Sequence, residues 1–382
     1  MSLSVLLRAA LLTAGLHAYI GLRLLPALSL GAWGDAAAIA ALALSSLLTP
    51  APLLMRRGQR EHADLLAWAG YLCMGLFSSL FVLTVLRDLL LLGAAAAGWL
   101  THGAVSAAAL ARPSALAVLA TTALVTVAGL FNARRLAAVR HVDLPIAGLP
   151  AALAGFTIVQ ISDIHVGHTI KRGYLRAIVE AVNAQAPDLV AVTGDIVDGS
   201  VERLAADVAP LGELRARHGV YAVTGNHEYY SGAADWVAEL RRLGLQVLLN
   251  QGRVLEHGGA RLLVGGVTDY SAHLFDPAQR SDPQAALAGA PADVAVKLLL
   301  AHQPRSAIAA AEAGFDVQLS GHTHGGQFLP WNFFVPLQQP FVAGLNRVSN
   351  LLVYTSRGTG YWGPPLRFGA PSEITRLRLV PA

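Results

Sequence analysis

Five short polar motifs between Asp163 and His324 contain the residue types that bind metal ions. Each motif directly follows an apolar run that resembles a β-strand, and three of the five contain glycine. In chain order they are Asp163-Ile164-His165, Gly194-Asp195, Gly225-Asn226-His227-Glu228, His302 and Gly321-His322-Thr323-His324-Gly325-Gly326. One such motif alone is a weak signal. Five in one chain, each at the end of a predicted strand, indicate a single site.

The residue types in these motifs fit the hydrolysis of a phosphate ester with two metal ions. The anionic oxygens of an ester repel a nucleophile, and two ions about 3.5–4 Å apart neutralise them and hold a deprotonated water. Such a site needs a bridging carboxylate, other oxygen ligands and several imidazoles. The candidates are Asp163, His165, Asp195, Asn226, His302, His322 and His324. Mixed oxygen and nitrogen ligands favour Zn²⁺, Mn²⁺ or Fe over an all-oxygen Ca²⁺ site.

Strand-like and helix-like segments alternate in the part of the chain that carries the motifs. We predict strands over residues 156–162, 188–193, 220–224, 262–267, 296–301, 316–320 and 351–355, and helices over 172–186 and 201–217. This alternation is typical of a layered α/β domain. Such sheets bind ligands beyond the carboxyl ends of their strands. All five motifs fall at those ends.

The composition divides the chain of 382 residues into two parts. Hydrophobic residues make up 54% of the chain and charged residues 14%, and the mean hydropathy is +0.50. The first 132 residues contain seven Arg, no Lys and four acidic residues, whereas the remainder holds ten of the thirteen His. We therefore predict a transmembrane helical region over residues 1–132, a linker and entry segment over 133–155, and a catalytic domain over 156–382.

Four segments of the first region are close to the roughly 20 apolar residues that a membrane-spanning helix needs. They cover residues 4–25, 36–55, 65–86 and 114–131. Residues 89–111 are also apolar but contain three glycines and a histidine, so a fifth span remains an alternative. No cleavable signal peptide is recognisable at the N-terminus. The sequence predicts a multi-pass protein of the inner or plasma membrane, in contact with the lipid bilayer.

The positions of arginine predict which side of the membrane the C-terminal domain occupies. With four spans, Arg56, Arg57 and Arg60 lie on the same side as the cluster of Arg134, Arg135 and Arg140. Because positive residues favour the cytoplasmic side, the catalytic domain is expected in the cytoplasm. A fifth span would reverse this.

The charge argues against a long nucleic acid as a partner, and the cysteine content excludes an intramolecular disulfide. The net charge is +4 and no run of Lys or Arg forms a track, so a long nucleic acid is not an expected partner. The lone Cys73 excludes an intramolecular disulfide. The sequence indicates no oligomeric state.

The order of the motifs resembles that of the calcineurin-like metallophosphoesterases, over about residues 156–378. The Gly-His-Thr-His-Gly-Gly-Gln-Phe motif, the segment from residue 357 to 365 and the N-terminal spans are similar to the bacterial membrane-associated branch of that superfamily. The resemblance implies a four-layer α/β/β/α sandwich, here preceded by an all-α transmembrane region of about four helices.

The resemblance also implies a role for each candidate. One ion would be bound by Asp163, His165 and His324, and the other by Asn226, His302 and His322. Asp195 would bridge the two ions. His227 would face the substrate, stabilise phosphoryl charge and protonate the leaving oxygen, with Asn226 also contacting substrate. Purple acid phosphatases have a metal-binding Tyr at the position of Asp198, so a tyrosinate–Fe(III) centre is not expected here.

Several residues have two interpretations. Arg357 and Arg367 either clamp a phosphate or are surface charges, and we count Arg357 among the candidate substrate-binding residues. Asp198 either shapes its loop or binds a nearby histidine. The aromatic segment 328–342 is either a loop packed over the sheet or an apolar lip that touches the bilayer or an acyl chain. Four histidines outside the motifs are predicted to be structural, namely His168, His218, His257 and His273.

These features predict a membrane-anchored, binuclear metal-dependent phosphoesterase that hydrolyses a phosphodiester or pyrophosphate bond by a metal-bridged hydroxide. A lipid precursor is one candidate substrate, because the predicted spans tether the chain to a membrane and the segment 328–342 is aromatic. Some members of this branch resemble UDP-diacylglucosamine pyrophosphate hydrolases. The alternative enzymatic function is that of a nucleotide phosphodiesterase. The alternative non-enzymatic function is that of a membrane sensor that uses the fold to bind a ligand.

Overall fold

The computed structural model describes residues 3–52 and 63–382. The chain forms two compact units. One consists of Met1–Phe131 and Gly363–Leu366, and the other of Asn132–Trp362 and Arg367–Ala382.

Four long helices dominate the first unit: α1 (Leu3–Leu28), α2 (Gly31–Leu48), α3 (Ala63–Leu100) and α4 (Ala107–Arg134). By length and composition, each is long and apolar enough to cross a membrane. The stretch that suggested a fifth span is divided, because its first part continues α3 and its last part begins α4. The described residues thus contain four candidate spans. Arg56, Arg57 and Arg60, and the end of the second predicted span, lie outside the described residues.

A charged pair joins α1 to α3. Arg23 donates two hydrogen bonds to the carboxylate of Asp88, at 2.8 and 3.0 Å, and Tyr19 donates a third at 2.7 Å. Charged side chains in apolar helices are costly unless they are paired. This pairing explains how Asp88 is tolerated directly before a run of four leucines.

The second unit contains two mixed six-stranded sheets. The first sheet has the order β1-β12-β2-β3-β4-β5, with β1 at Ala138–Ile146, β2 at Thr157–Ile161, β3 at Leu189–Val192, β4 at Val220–Ala222, β5 at Gln246–Val247 and β12 at Glu373–Pro381. The second has the order β10-β11-β9-β8-β7-β6, with β6 at Gln251–His257, β7 at Ala260–Gly266, β8 at Val294–Leu300, β9 at Val317–Ser320, β10 at Gly344–Val348 and β11 at Leu351–Thr355. Strands β2 to β5 are parallel, as are β7, β8, β9 and β11.

Helices cover the outer face of each sheet. They are α5 (Arg172–Asn183), α6 (Val201–Val208), α7 (Asn226–Ser231), α8 (Ala233–Arg242), α9 (Pro283–Leu287) and α10 (Ala307–Ala313). Short 3₁₀ turns lie at Ala151–Leu153, Ala209–Glu213, Ala272–Leu274, Pro277–Gln279, Pro304–Ser306, His324–Gly326, Trp331–Phe333 and Val335–Leu337.

Three hydrophobic clusters hold the layers together. Between the sheets, Ile158 of β2 packs in the same cluster as Leu298 of β8. On the outer faces, Val190 of β3 joins residues of α5 and α8, and Leu299 of β8 joins residues of α9 and α10. Alternate residues of each strand therefore enter different clusters, as the period of two requires. The predicted four-layer α/β/β/α sandwich is confirmed.

The segment predicted as a linker, residues 133–155, contains a strand. All nine residues of β1 pair with β12 in parallel, for example Leu144 with Leu379. Leu144 and Ile146 are buried while Asp143 is exposed. This alternation is the signal of an edge strand with one buried face.

Candidate metal centre

The seven predicted metal ligands all lie just beyond the carboxyl ends of parallel strands. Asp163 and His165 follow β2, Asp195 follows β3, Asn226 begins α7 after β4, His302 follows β8, and His322 and His324 follow β9. Because the two sheets pack face to face, these loops meet at one end of the sandwich. Residues as far as 159 positions apart, such as His165 and His324, come into contact there.

One group of candidate ligands consists of Asp163, His165 and His324, whose ligand atoms lie within 4.8 Å of one another. The two imidazole Nε2 atoms are 3.1 Å apart. His324 Nε2 is also 3.5 Å from Asp163 Oδ1. All three side chains are buried. These are the three residues assigned to one ion by the resemblance.

A second group consists of Asp195, His302 and His322. His302 Nε2 lies 3.1 Å from Asp195 Oδ2 and 3.2 Å from His322 Nδ1. On its other side, His302 Nδ1 is 2.8 Å from the carbonyl of Thr193, which orients the ring. Asp195 belongs to a further group with His165 and His227, so its carboxylate lies between the two sets of imidazoles.

The electrostatics of this group favour a bound cation. Burial works against a protonated His302, yet the carboxylates of Asp195 and Asp163 raise the pKa of His302 well above its ordinary value. A buried pair of carboxylates thus draws positive charge to this position. A divalent metal ion would supply that charge.

Asn226 adds a neutral oxygen ligand to the set. Its Oδ1 is buried and has no hydrogen-bond partner. A buried acceptor without a partner costs about 1–3 kcal/mol, and a metal ion would remove that cost. Together with the converging imidazoles, this oxygen makes the residues present a good fit for metal binding.

The backbone at the site is strained. Asp163, His165, Asp195, His322 and His324 all have φ between 51° and 71°, in the left-handed region that residues other than glycine rarely adopt. Such conformations cost of order 1–3 kcal/mol each and persist only where the surrounding structure enforces them. Their concentration in five of the seven candidate ligands marks this end of the sandwich as a functional site.

Two glycines allow the loops to approach one another. A Cβ added to Gly225 would lie 2.6 Å from Asp195 N and would also overlap the Asp195 carboxylate. A Cβ added to Gly321 would lie 2.9 Å from Ser162 Cβ and would overlap Asp163 Oδ2. Glycine is required at both positions because the neighbouring loop occupies the space of any side chain.

Glu228 is a site residue whose role the sequence did not reveal. Its buried carboxylate accepts hydrogen bonds from the backbone N–H groups of Asp195 (3.0 Å), Ile196 (2.7 Å) and Gly225 (2.6 Å). Burial and the neighbouring Asp195 raise its pKa to about 7. Glu228 therefore fixes the loop of Asp195 to the start of α7. The available signal was an acidic residue three positions after Gly225, the pattern of a capping box.

Asp198 orients two imidazoles. It contacts His227 Nδ1 directly, and its other oxygen is 3.3 Å from His165 Nδ1. Although burial disfavours its charge, His165 and His227 hold the pKa of Asp198 well below its ordinary value. The interpretation of Asp198 as the partner of a nearby histidine is the one that the structure supports.

The environment of His227 differs from that of the predicted ligands. Its Nε2 is 4.0 Å from Asp195 Oδ2. The half-exposed rings of Tyr230 and Trp362 stand edge-on to the imidazole, with centroids 5.2 and 5.7 Å away. His227 thus borders the centre next to an aromatic surface.

The two C-terminal arginines have different environments. Arg367 is completely buried and donates to the carbonyls of Gly360, His324, Arg357 and Ala370. It is therefore neither a phosphate clamp nor a surface charge. Its Nη2 lies 3.1 Å from His324 Nδ1. Burial lowers the pKa of His324 well below its ordinary value, and the positive charge of Arg367 lowers it further. The imidazole therefore stays unprotonated.

Arg357 lies next to His324 in space, because its side chain packs against Gly325. Its Nη1 donates to the buried Glu373 at 3.0 Å, and the side chain is 28% exposed. Substrate binding by Arg357 remains a prediction.

The histidines outside the motifs belong to none of the three groups of metal-ligating side chains in the described chain. His218 and His257 contact each other at 2.9 Å beside Phe156. His273 Nδ1 is 3.1 Å from the carbonyl of Tyr270, and His168 is buried.

The aromatic segment 328–342 exposes most of its large apolar side chains. Phe328 is buried, but five others are at least 41% exposed, namely Leu329, Trp331, Phe333, Phe334 and Leu337. A loop packed over the sheet through its apolar residues would bury them. The packed-loop interpretation therefore holds for Phe328 alone among these six.

Comparison with known proteins agrees with this geometry. The sequence profile of the family described as calcineurin-like phosphoesterase matches residues 156–326. A protein of Bos taurus, described as a transmembrane protein with metallophosphoesterase domain, is 38% identical over 361 residues, which are 91% of this chain and 80% of that protein.

Two further relatives match a smaller part of the chain. A Danio rerio protein with the same description is 38% identical and covers 68% of this chain, and 61% of its own length is matched. An uncharacterized metallophosphoesterase of Helicobacter pylori is 39% identical, covering 59% of this chain and 60% of its own length. The chain thus spans about three fifths of these two relatives, which come from a vertebrate and a bacterium.

Proposed function

Because the chain belongs to the calcineurin-like phosphoesterase family and is therefore a phosphoesterase hydrolase, we propose that it is a membrane-anchored, binuclear metal-dependent enzyme that cleaves a phosphodiester or pyrophosphate bond. The observation that carries the proposal is the position of Asp195, shared between groups that contain His165 on one side and His302 and His322 on the other. A carboxylate between two sets of imidazoles is what a pair of ions requires.

In this proposal, Asp163, His165 and His324 would hold one ion, Asn226, His302 and His322 would hold the other, and Asp195 would be shared by both. The donor set of carboxylate, amide and imidazole favours Zn, Mn or Fe. When bound, such a pair would neutralise the phosphoryl oxygens and supply an activated water as the nucleophile.

The remaining residues act on the substrate directly. His227, held by Asp198, would donate a proton to the leaving oxygen and a hydrogen bond to the phosphoryl group. Its Nδ1 contacts Asp198, and its Nε2 lies 4.0 Å from Asp195 Oδ2 at the metal centre. Asn226 would bind both ion and substrate. Arg357 would add a positive charge beside His324.

The test uses the full chain purified in detergent. Metal content is measured, and hydrolysis of bis(p-nitrophenyl) phosphate is followed with added Mn²⁺ or Zn²⁺. We expect about two ions per chain and turnover that Asp195→Asn reduces by at least about 10³-fold, because that variant removes the shared carboxylate. His141→Gln, an exposed residue of β1, is the control. Wild-type turnover no greater than that of Asp195→Asn, across several metals, would refute the proposal.

The exposed aromatic segment 328–342 favours a lipid-linked substrate. Trp331, Phe333 and Phe334 are 41%, 71% and 53% exposed, and exposed apolar surface of this kind marks contact with membranes or apolar ligands. The candidate membrane spans would keep the enzyme at a bilayer. We expect Trp331→Ala with Phe333→Ala to lower turnover of a lipid phosphodiester in vesicles about tenfold while leaving bis(p-nitrophenyl) phosphate unchanged. An equal effect on both substrates would exclude the lipid form.

A nucleotide phosphodiesterase is the second candidate. It is favoured by Tyr230 and Trp362, which are 56% and 43% exposed beside His227 and could stack on a base. The vesicle experiment distinguishes the two candidates when thymidine 5′-(p-nitrophenyl phosphate) is included as a third substrate.

A further inference from the structure

Arg305 stands three residues after His302 and is an arginine without a carboxylate partner among the described residues. Its side chain is partly buried, and its Nε is buried with no hydrogen-bond acceptor. A guanidinium donor left in this state is costly unless something accepts from it. The other buried guanidinium near the site, Arg367, has carbonyl acceptors from four residues. Arg305 therefore differs from an arginine used to brace the fold.

A buried polar network fixes the loop that carries Arg305. Gln303 Nε2 donates to both carboxylate oxygens of Asp269 at 3.0 Å. Gln339 Nε2 donates to Gln303 Oε1 at 3.1 Å, and Gln339 Oε1 accepts from the backbone N–H of Arg305 at 3.2 Å. Asp269, Gln303 and Gln339 are each at most 4% exposed. The network ties the loop after β8 to the loop of Asp269 and Tyr270.

These two loops place the guanidinium against an aromatic ring. Arg305 Cζ lies 4.9 Å from the centroid of the Tyr270 ring. A guanidinium stacked in this way is stabilised by a cation–π interaction, while its edge remains available to an anion. The edge of an arginine matches two oxygens of a phosphate or carboxylate. The arrangement presents a preorganised anion-binding group.

Arg305 is close to the metal centre along the chain, because it follows the candidate ligand His302 by three residues in the loop after β8. Tyr270, whose ring contacts Arg305, lines a cavity of about 280 Å³. His273, Arg280, Ser281 and Ser306 also line it, and none of the lining residues is acidic. The cavity that adjoins Tyr270 is thus lined by hydroxyl groups, a histidine and an arginine, with no carboxylate.

We infer that Arg305, Tyr270 and the adjoining cavity form an anion subsite, which binds a second negatively charged group of the substrate next to the phosphate that is cleaved. The inference rests on the proposed function and narrows its substrate class. A pyrophosphate diester, or a phosphodiester with an adjacent anionic group, satisfies both the metal centre and this subsite. A diester with neutral substituents engages the metal centre alone.

The experiment compares two esters that differ by one phosphoryl group, with the full chain in detergent. Bis(p-nitrophenyl) phosphate carries one negative charge, and P1,P2-bis(p-nitrophenyl) pyrophosphate carries two. We expect Arg305→Gln to lower kcat/KM for the pyrophosphate by about 10- to 100-fold, the range of a lost charge-assisted pair, and to change the diester less than threefold. Tyr270→Leu should show the same selectivity to a smaller degree. Arg253→Gln, exposed on β6, is the control.

Equal losses on both esters, or no loss on either, would overturn the subsite. A binding measurement tests the subsite independently of the proposed hydrolytic function. Calorimetric titration with inorganic pyrophosphate should give a Kd at least about tenfold weaker for Arg305→Gln than for wild type and Arg253→Gln. If wild type hydrolyses neither ester, the proposed function fails and this titration decides the subsite. Equal Kd values for the three proteins would then reject it.

Discussion

The absence of a side chain at Gly225 determines how closely the loop of Asp195 can approach α7. The φ of Gly225 is −100°, which any residue can adopt, so the effect of a substitution there comes from the overlap alone. We expect Gly225→Ala to displace the Asp195 carboxylate and to destabilise the fold by about 1–3 kcal/mol. Bound metal per chain should fall in elemental analysis of the purified protein.

Gly173→Ala is the matched control for this change. Gly173 lies in α5 with nothing within 4 Å of an added Cβ, and alanine there should be neutral or slightly stabilising. Normal metal content in Gly225→Ala would contradict the close packing of the two loops.

The role of His227 as an acid can be separated from metal binding through the leaving group. An alkoxide needs a proton when it departs, whereas p-nitrophenolate does not. We expect His227→Gln to lower kcat by about 10²–10⁴ for an alkyl phosphodiester and by no more than about tenfold for the p-nitrophenyl ester. Metal content should stay near two per chain. A loss of metal, or equal losses on the two esters, would instead place His227 among the ligands.

At the scale of elements, one buried side chain, Arg367, joins several parts of the C-terminal segment between β11 and β12. Arg367 satisfies carbonyls of Arg357, Gly360 and Ala370, and also of His324 at the metal centre. Arg367→Met would leave these acceptors buried without a donor. We expect a loss of at least about 3 kcal/mol of unfolding free energy and weaker metal retention, measured by thermal unfolding and metal analysis.

Arg378→Met provides the comparison for this change. Arg378 pairs with Asp143 on the surface, where both side chains are about half exposed, and such pairs contribute about 0–1 kcal/mol. Equal stability of the two variants would show that Arg367 has no bracing role.

At the scale of the whole molecule, the side of the membrane that carries the catalytic unit is open to a direct test. The cluster of Arg134, Arg135 and Arg140, at and just beyond the end of α4, predicts a cytoplasmic location. Protease added to sealed inside-out vesicles should therefore digest the C-terminal unit, while right-side-out vesicles should protect it. Immunoblotting with a C-terminal tag would measure this. Digestion only in right-side-out vesicles would reverse the orientation.

Local patterns in the sequence were sufficient for much of the fold. The strands of the centre were predictable because each is a short run of β-branched and aliphatic residues followed by a polar turn, as at β2 and β3. Both of their sheets are mixed; in the first, β12 lies between β2 and the edge strand β1 and runs antiparallel to β2. Strands β1 and β12 were not predicted, because β12 alternates arginine with apolar residues and pairs with β1 more than 200 positions away. A pairing over that distance leaves no local signal.

The sequence by itself determined which chemistry the protein can perform, since the identity and order of Asp163, His165, Asp195, Asn226 and the later histidines are properties of the chain. Only the tertiary structure decided which other side chains orient those residues and fix their loops. The sequence left two roles open for Asp198, and the structure places it against His227 and 3.3 Å from His165. Glu228 holds the loop of Asp195 and Arg305 stacks on Tyr270, and neither role was predicted from spacing. The physical reason is that ligand chemistry belongs to single side chains, whereas orientation and charge depend on neighbours that only the packed sheets bring together.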